Sequence, residues 1–597
     1  MKPKMLSVVI PLLSASLSVA WAGNRTVAGR VSTPFPTLTN LAVEWLISGD
    51  DDLDATVEVA FRQAGQDNWR KALPLVRVPA DCVPPEKSPV VYRWPNMFAG
   101  SLFDLRPATE YEIRLSLHDP DGGDTVQTVR ARTRPVPRAA ADSTVKKVNP
   151  VTFADSALTA RPGDVLLLAP GYYGEFTMRR DGEPGRPIVI RSDRSHPLIN
   201  STFDSVSLEG RRHVILEGVT VNGPVSLRFA ESCAVRGCTV NALYGIIAKP
   251  QPGCANCYIA DNAVTGPMPW VAEGIGSSLV WGGGANEGEG IEITGPGNVV
   301  CFNRVLGYRD CISSMESLWP YDQRCFDIYN NDISVGADDG IEADFLSANC
   351  RIMRNRLTNC GMGLSGQPTL GGPVYFIRNV IYNVVICPFK LERHSVGNYF
   401  LHNTVVKVGD GFYEHHYQNE YFRTHFINNL TLGGTGAGRF GRYASSEGPA
   451  GLAVVLPGFN ETCSFEYNAV GTVGTPFAGI IGRQRFGSLA ELDRLTGGHN
   501  RQVGIEVFAG RVDFPDPAFP EREPADLRPA QGSAVVDAAK RLSDVNDDFT
   551  GAGPDIGAHE YGRPPEHYGP RPPGVDEETL WEERQKRIAK CYSLPEH

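Results

Sequence analysis

Residues 377–381 read Ile-Arg-Asn-Val-Ile, and this pattern of an apolar residue, any residue, Asn, any residue and an apolar residue recurs along the chain. Asparagine fills the central slot at spacings of 28, 24, 24, 24 and 25 residues: Asn303, Asn331, Asn355, Asn379, Asn403 and Asn428. Cys238 and Asn262 occupy the same slot upstream, 24 residues apart. The gap of 41 residues between Asn262 and Asn303 predicts an insertion of about 17 residues in one repeat.

A period near 24 residues with short apolar strands and Gly-rich turns is typical of a parallel β-helix. Each coil of such a helix lays its strands on those of its neighbour, about 4.8 Å away. Stacked asparagine side chains can then bond to one another and to the turn backbone. Four cysteines precede the slot by five or six residues: Cys233, Cys257, Cys325 and Cys350. We therefore expect the cysteines to be small packing residues rather than catalytic thiols.

Both ends of the repeat support this fold. Residues 162–174 read Pro-Gly-Asp-Val-Leu-Leu-Leu-Ala-Pro-Gly-Tyr-Tyr-Gly after a predicted short helix over 152–160, and residues 554–561 read Pro-Asp-Ile-Gly-Ala-His-Glu-Tyr. The two segments resemble the capped start and the end of right-handed parallel β-helix proteins, which include glycoside hydrolases and polysaccharide lyases. The resemblance covers residues 143–562. It implies an all-β, carbohydrate-active protein with a right-handed single-stranded parallel β-helix, and it does not choose the reaction.

A smaller β domain is predicted before the helix, over residues 24–135. Short alternating strands such as 41–45, 55–61 and 111–115 are typical of a β-sandwich. Residues 105–111, Leu-Arg-Pro-Ala-Thr-Glu-Tyr, together with Trp45, resemble the fibronectin type III family, which implies a spacer or binding module. After the helix, residues 563–597 form a Pro-rich tail with a polar helix near 577–590, which we expect to be peripheral.

The ends and the charge of the chain indicate where it acts. Two lysines, an apolar stretch over 6–19 and Ala20-Trp-Ala22 predict a signal peptide over residues 1–22, cleaved after Ala22. The protein is then secreted, periplasmic or extracellular. The formal net charge is −11 and no basic stripe is present, which argues against a nucleic-acid partner. After residue 22 the sequence contains no run of 18 apolar residues, so no membrane span is predicted. We expect a monomer.

Strand alternation predicts a polar face on the helix. In residues 340–345, Ile341, Ala343 and Phe345 should face the core, so Glu342 and Asp344 should face out. Stacking of equivalent strands lines up seven residues on this face: Glu292, Glu342, Asp344, Gln367, Lys390, Glu392 and His415. Asp338 and Asp339 lead into the face, and Arg393 and His394 lie at its edge.

Two reactions fit this face, and a polysaccharide or glycan is the expected substrate of both. A glycoside hydrolase would use two of Asp338, Asp339, Glu342 and Asp344, since the strand grid offers separations of roughly 5 to 9.5 Å and crowding raises a carboxyl pKa. Residues 336–340 also resemble the paired-aspartate motif of polygalacturonases, although that family's other motifs are missing. A polysaccharide lyase would instead draw its base or acid from Lys390, Arg393, His394 or His415, with Ca²⁺ on Glu342 and Asp344.

Two further interpretations stay open. The chain could be a non-enzymatic adhesin or glycan-binding fibre, and the acidic residues could form a solvated strand face or a Ca²⁺ site that only stiffens the helix. Trp270, Trp281 and Trp319 lie in loops that precede strands of the polar face. Their rings either stack on sugars or pack the loops down.

Overall fold

A computed structural model describes residues 23–80, 93–193, 200–249, 252–276, 287–314, 323–415, 420–441 and 443–591. The predicted signal peptide, Trp281 and Trp319 lie outside the described residues. Within these ranges, no helix combines the length and the apolar character needed to cross a bilayer.

The first domain is a sandwich of two four-stranded antiparallel sheets. Its strands are β1 Val27–Ser32, β2 Leu41–Ser48, β3 Thr56–Gln63, β4 Arg70–Lys71, β5 Val76–Val78, β6 Met97–Leu102, β7 Glu110–His118 and β8 Thr125–Arg132. One sheet has the order β1-β2-β6-β5 and the other β4-β3-β7-β8. Trp45 is fully buried between them, and the backbone N–H of Arg106 donates to the Tyr111 hydroxyl over 2.8 Å. The fibronectin type III assignment stays a prediction.

The second domain is a parallel β-helix, as the repeat predicts. Its first sheet has 13 strands: β9 Thr144–Val148, β10 Asp164–Leu168, β13 Ile188–Ser192, β16 Val214–Glu217, β19 Ala234–Arg236, β22 Tyr258–Ala260, β25 Val299–Cys301, β28 Asp327–Tyr329, β30 Ala348–Met353, β32 Leu370–Ile377, β35 Val396–Leu401, β38 His425–Ile427 and β43 Ser464–Glu466. A further 24 strands form a second sheet that bends into two columns, because the long strands β29 Asp332–Glu342 and β31 Arg356–Ser365 run through both.

The remaining strands of the bent sheet belong to one column or the other. The middle column holds β11 Gly171–Tyr172, β14 Ser201–Phe203, β17 Thr220–Val221, β20 Thr239–Asn241, β23 Ala263–Thr265, β26 Arg304–Tyr308, β33 Val380–Val384, β36 Thr404–Val406, β39 Leu430–Gly434, β44 Ala469–Val473 and β47 Arg501–Gln502. The site column holds β12 Glu175–Thr177, β15 Ser205–Ser207, β18 Val225–Ser226, β21 Tyr244–Ala248, β24 Glu289–Ile293, β27 Asp310–Ser313, β34 Phe389–Lys390, β37 Phe412–His415, β42 Val454–Leu456, β45 Gly479–Ile481 and β46 Gln484–Phe486. A separate hairpin pairs β40 Arg439–Phe440 with β41 Tyr443–Ala444.

A ladder of asparagines runs through the helix. In each step an Nδ2 group donates to the Oδ1 atom of the next asparagine over 2.9–3.0 Å, through Asn262, Asn303, Asn331, Asn355, Asn379, Asn403, Asn429 and Asn468. The second hydrogen of each Nδ2 group from Asn303 to Asn429 binds a backbone carbonyl of the preceding coil. Every ladder asparagine is thereby buried with its amide satisfied.

The ladder corrects one predicted position. Asn429 takes the slot that the pattern assigned to Asn428, because β35 pairs with β38 so that Leu401 lies opposite Ile427. Asn428 lies opposite His402 instead, and its Nδ2 group contacts His402 Nε2 at 2.9 Å. The eleven cysteines whose side chains the structure describes form no disulfides with one another, and all but the half-buried Cys463 are buried, which agrees with their predicted role as packing residues.

Three helices and two 3₁₀ turns complete the described chain. They are α1 Phe153–Leu158, α2 Leu489–Thr496 and α3 Glu577–Cys591, with 3₁₀ turns at Ala272–Gly274 and Ile505–Val507. Helix α1 lies at the first coil, where Phe153 packs on Phe203 and blocks the open end of the core.

The C-terminal tail is docked rather than peripheral, which corrects the sequence expectation. Glu577, at the start of α3, accepts a hydrogen bond from the Tyr258 hydroxyl over 2.8 Å. Farther along α3, Arg584 pairs with Asp104 of the sandwich. The tail therefore fastens the sandwich to the β-helix.

The sandwich also packs directly on the outer face of the first sheet. Arg351, fully buried there, donates to Ser101 Oγ over 3.2 Å and pairs with Asp327 beside it. Phe345 was expected inside the helix. Its positive φ of 59° turns the chain, so its ring packs with Trp94 of the sandwich side instead.

The ladder generates a stability prediction. In Asn355→Ala, the backbone N–H and the Nδ2 group of Asn331 lose their acceptor, and the Ile328 carbonyl loses its donor. We expect the free energy of unfolding to fall by about 3 kcal/mol in a denaturant titration, since buried polar groups are left unsatisfied. Asn241→Ala, at an exposed asparagine outside the ladder, should change it by less than about 0.5 kcal/mol. Equal losses in the two variants would contradict a special role for the ladder.

Candidate functional site

The predicted polar face lies on the site column. Strand pairing places six residues opposite one another in successive coils: Glu292, Ser313, Glu342, Ser365, Lys390 and His415. Glu292 and Glu342 are two coils apart, as are Glu342 and Lys390. Since coils are about 4.8 Å apart, each of these pairs has backbones separated by about 10 Å. Long side chains from such positions can converge on one point.

Two groups of carboxylates converge beside this row. The oxygen atoms of Asp310, Asp338 and Asp339 lie within 4.8 Å of one another, and so do those of Glu289, Asp310 and Glu342. Asp310 belongs to both groups. Its Oδ1 atom accepts a hydrogen bond of 2.8 Å from the backbone N–H of Asp339.

Two cations hold these acids together. Arg309 pairs with Asp310, and its Nη2 atom lies 2.6 Å from Asp338 Oδ2. Lys390 Nζ lies 2.7 Å from Asp339 Oδ2. The alternative of a solvated strand face is therefore not what the structure shows, because these ion pairs are buried.

Burial corrects the expectation of an exposed acidic face. Asp339 is 0% exposed, Asp344 1% and Asp338 4%, while Glu342 is partly exposed. The register of β29 against β31 shifts between Gly336 and Asp339, which places the two aspartates under the longer Arg309 and Lys390 side chains.

The pKa values of Asp339 and Glu342 are raised, and burial is the largest cause. Burial raises the pKa of Asp339 well above its ordinary value, which Lys390 opposes and neighbouring aspartates reinforce. The pKa of Glu342 rises in the same way, first by burial and then by Asp310 and Asp344. Burial would lower the pKa of Lys390, but the surrounding carboxylates, Asp339 foremost, raise it well above its ordinary value.

Asp344 stands apart from the convergent groups. Its Oδ1 atom accepts hydrogen bonds from Ser365 Oγ over 2.6 Å and from the backbone N–H of Gln367 over 2.8 Å. Burial raises its pKa to about 6, against the opposing effect of Lys390. The metal pair of Glu342 and Asp344 stays a prediction: Glu342 converges with Glu289 and Asp310, whereas Asp344 is in neither of the groups of three found in the described chain.

Three buried oxygen atoms are left unsatisfied. Asp338 Oδ1, Asp339 Oδ1 and Asp344 Oδ2 have no hydrogen-bond partner among the residues that the structure describes. Unpaired buried carboxylate oxygens are costly, which makes these three atoms candidates to bind a ligand. Two of the three belong to the group formed around Asp310.

The other predicted residues occupy different surroundings. Glu292 is held by Lys249 Nζ at 2.7 Å, on the upstream side of the convergent groups. Gln367 is partly exposed beside Asp344, and the Gln367 Oε1 atom has no partner within the described chain. Glu392 and Arg393 are partly exposed just after Lys390, and His394 is buried next to them.

Trp270 is a packing residue, which corrects its prediction as a substrate-binding ring. It is 6% exposed and stacks on Phe519 with ring centroids 4.8 Å apart. Its Nε1 atom donates to the Ala518 carbonyl over 3.2 Å. The segment around 518–519 therefore covers it.

Sequence reasoning missed three residues of the site. Glu289, Arg309 and Asp310 were not predicted, although Glu289 lies three residues before Glu292 and Asp310 lies opposite it in the next coil. The available signal was the Arg-Asp pair at 309–310 directly before a short apolar strand, in register with the strand that carries Glu292.

The comparisons with known proteins add little to this geometry. No protein-family model and no curated protein matches the chain. Among solved structures, the crystal structure of pectate lyase Pel9A is similar, with 14% sequence identity, coverage of 70% of this chain and 97% of that chain, and a TM-score of 0.38. A likeness of this extent has no bearing on the reaction.

Strand β37 also places a glutamate inside the helix. Glu414 lies opposite the core residue Phe389 and is 1% exposed. Its Oε1 atom accepts a hydrogen bond of 2.9 Å from the Gly458 N–H. Burial raises its pKa from 4.5 to about 8, so the carboxyl group is protonated in the folded protein at neutral pH.

This glutamate generates a pH prediction. Because the folded pKa exceeds the unfolded one, its contribution to stability is complete below pH 4.5 and is lost as pH rises to about 8. The loss amounts to at most about 1.4 kcal/mol per pH unit. Denaturant titrations at several pH values between 5 and 8, which lie within this window, measure the free energy of unfolding. With rising pH this free energy should fall less steeply in Glu414→Gln than in the unsubstituted protein. Parallel declines would contradict a buried neutral Glu414.

Proposed function

We propose that the protein is a polysaccharide lyase that cleaves a uronic-acid polymer by β-elimination and needs a divalent cation. The observation that carries this proposal is the buried amine of Lys390 beside convergent carboxylates with unsatisfied oxygens. The predicted signal peptide agrees with a polymer substrate met outside the cytoplasm.

The donor set fits a hard cation such as Ca²⁺. Ca²⁺ binds oxygen ligands at about 2.3–2.6 Å, so two ligands of one ion lie at most about 5 Å apart. The oxygens of Asp310, Asp338 and Asp339 meet this limit at 4.8 Å, and two of these residues offer an oxygen without a partner in the described chain. These three residues would hold the ion, with partly exposed Glu342 beside them.

The reaction divides between the cation and the chain. A bound divalent cation would neutralise the substrate carboxylate and, by sharing Asp339 with Lys390, weaken the hold of that lysine on its proton. The Lys390 amine would then take the C5 proton beside the carboxylate. The electron pair forms the C4=C5 double bond, the C4–O bond breaks, and the leaving oxygen takes a proton from water.

Arg309 has a positioning role in this scheme. It contacts Asp310 and Asp338, so it fixes two of the three proposed ligands without contacting Lys390 in any hydrogen bond described. Burial would lower the pKa of Arg309, but its carboxylate partners, Asp310 foremost, raise that pKa, so the group stays charged. A permanent cation there limits repulsion among the acids before the metal binds.

A glycoside hydrolase is the second candidate, on the strength of Asp344. Its pKa of about 6 and its unsatisfied Oδ2 atom, among the described residues, suit a general acid. Carboxylate oxygens within 4.8 Å leave no room for the water of an inverting enzyme, so a hydrolase built on the convergent groups would have to be of the retaining type.

A digestion panel separates the two reactions. Purified protein is incubated with uronic-acid and neutral glycans, with Ca²⁺ or with a chelator, while reducing ends and the ultraviolet absorbance of unsaturated uronates are followed. We expect both signals to rise together on a uronic-acid polymer and to disappear with chelator. Reducing ends without absorbance would establish a hydrolase, and silence across the panel would favour a non-enzymatic glycan-binding protein.

Variants assign the roles. Lys390→Ala should lower turnover at least about 100-fold, because the base is lost. It should also tighten Ca²⁺ binding measured by calorimetry, because the lysine no longer competes for Asp339. Asp339→Asn should weaken both turnover and Ca²⁺ binding. Lys71→Ala, on the exposed edge of the sandwich, is the matched control and should change neither.

Asp344→Asn distinguishes the candidates at the level of one residue. In the lyase this variant should retain most of the turnover, because the carbonyl oxygen of the new amide would still accept hydrogen bonds from Ser365 and Gln367. In a hydrolase the loss of the acid should lower turnover by a factor of about 10²–10⁴. The melting temperatures of the variant and of the unsubstituted protein are measured alongside, so that misfolding is recognised.

A further inference from the structure

A cleft lies between the sandwich and helix α3, and none of the residues of the acidic groups lines it. Its volume is about 890 Å³. The sandwich contributes the loop between β3 and β4 and the corner before β7, and α3 contributes the opposite wall. Its lining combines two tryptophans with amide side chains: Trp69, Trp581, Gln63, Gln66, Asn68 and Gln585.

Helix α3 divides its side chains between two tasks. Glu577 and Arg584 face the rest of the protein, through Tyr258 and Asp104. Trp581, Gln585 and Ile588 follow one another at spacings of four and three residues, so they lie next to Glu577 and Arg584 on one side of the helix, and all three line the cleft. Docking of the tail thus builds the wall.

Both indole rings are held in place by guanidinium groups. The Arg62 and Arg114 guanidinium carbons lie 4.5 Å and 4.6 Å from the centre of the Trp69 ring, and that of Arg106 lies 5.3 Å from the Trp581 ring. Each ring is partly exposed. Cation–π contacts of this kind fix the orientation of a ring before a ligand arrives.

The polar groups of the cleft favour a ligand rich in hydroxyls. Arg62 pairs with Glu112, Arg70 with Asp544, and Asp104 with arginines, so most of the charge is already neutralised. Amides remain to bind a ligand. The buried Gln585 Nε2 atom has no hydrogen-bond partner within the described chain. Aromatic ring faces with side-chain amides beside them are the chemistry that recognises sugar rings and their hydroxyls.

We propose that this cleft is a carbohydrate-binding site, distinct from the acidic groups, that holds an oligosaccharide segment of a polymer. Trp69 and Trp581 would contact the apolar faces of sugar rings, and the Gln and Asn side chains would bind hydroxyl groups. The sandwich and the tail would together form this site, and its function would be to hold the protein bound to a polysaccharide.

Calorimetric titration with hexasaccharides tests this site without relying on any reaction. The probes are oligomers of galacturonate, mannuronate, xylose and glucose, titrated into the full chain carrying Lys390→Ala to suppress turnover. We expect Trp69→Ala and Trp581→Ala each to weaken one class of binding site by about ten-fold or more, since an aromatic contact of this size is lost. Any binding at the acidic groups forms a separate class, and these two variants should leave it unchanged.

Phe229→Ala provides the matched control. Phe229 is 43% exposed and has Arg228 over its ring at 4.6 Å, but it does not line the cleft. It should leave all binding unchanged. Two outcomes would overturn the proposal. In the first, neither tryptophan variant changes the binding of any probe. In the second, the protein with both tryptophans intact binds none of the probes. Because activity is not the readout, failure of the proposed lyase reaction would leave this result unaffected.

Discussion

The hydrogen bond from one asparagine amide to the next is the interaction on which the β-helix depends. In each coil of the ladder, a buried turn contains backbone N–H and C=O groups that do not pair with a neighbouring strand. Water cannot reach these groups, so they need another hydrogen-bond partner. A single side chain with two donors and one strong acceptor satisfies the coil before it and the coil after it. Because the same residue type must recur at the same point of each coil, the ladder also fixes the register of the strands.

That register builds the candidate site as a by-product of stacking. Glu292, Glu342 and Lys390 are far apart along the chain, yet the coils place them in one row. The bulge before Asp339 then turns two further acids beneath Lys390 and Arg309. A rigid β-helix with one irregular strand thus brings together acidic and basic side chains that are far apart in the sequence.

The sequence was sufficient for whatever follows from periodicity. Five of the six quoted asparagines take their predicted slots. The pattern selects Asn428, but strand pairing, which the pattern does not contain, places the adjacent Asn429 in the ladder instead. Alternation likewise predicted the row of polar residues. Alternation could not predict that Asp338 and Asp339 are buried, or that Asp310 lies beside them. Both features depend on long side chains from other coils, which cover these aspartates. Trp270 shows the same limit, since Phe519 covers it from a distant part of the chain.

The contact between Tyr258 and Glu577 joins residues 319 positions apart. It sets an order of assembly during synthesis. The coils can stack as they emerge, but the sandwich stays attached only through the chain and its direct packing until the last residues arrive. A protease that cuts within the Pro-rich segment before α3 would therefore loosen the grip between the two domains while leaving the coils intact. Such a cut would separate α3, which forms one wall of the cleft, from the β-helix domain that contains the acidic groups.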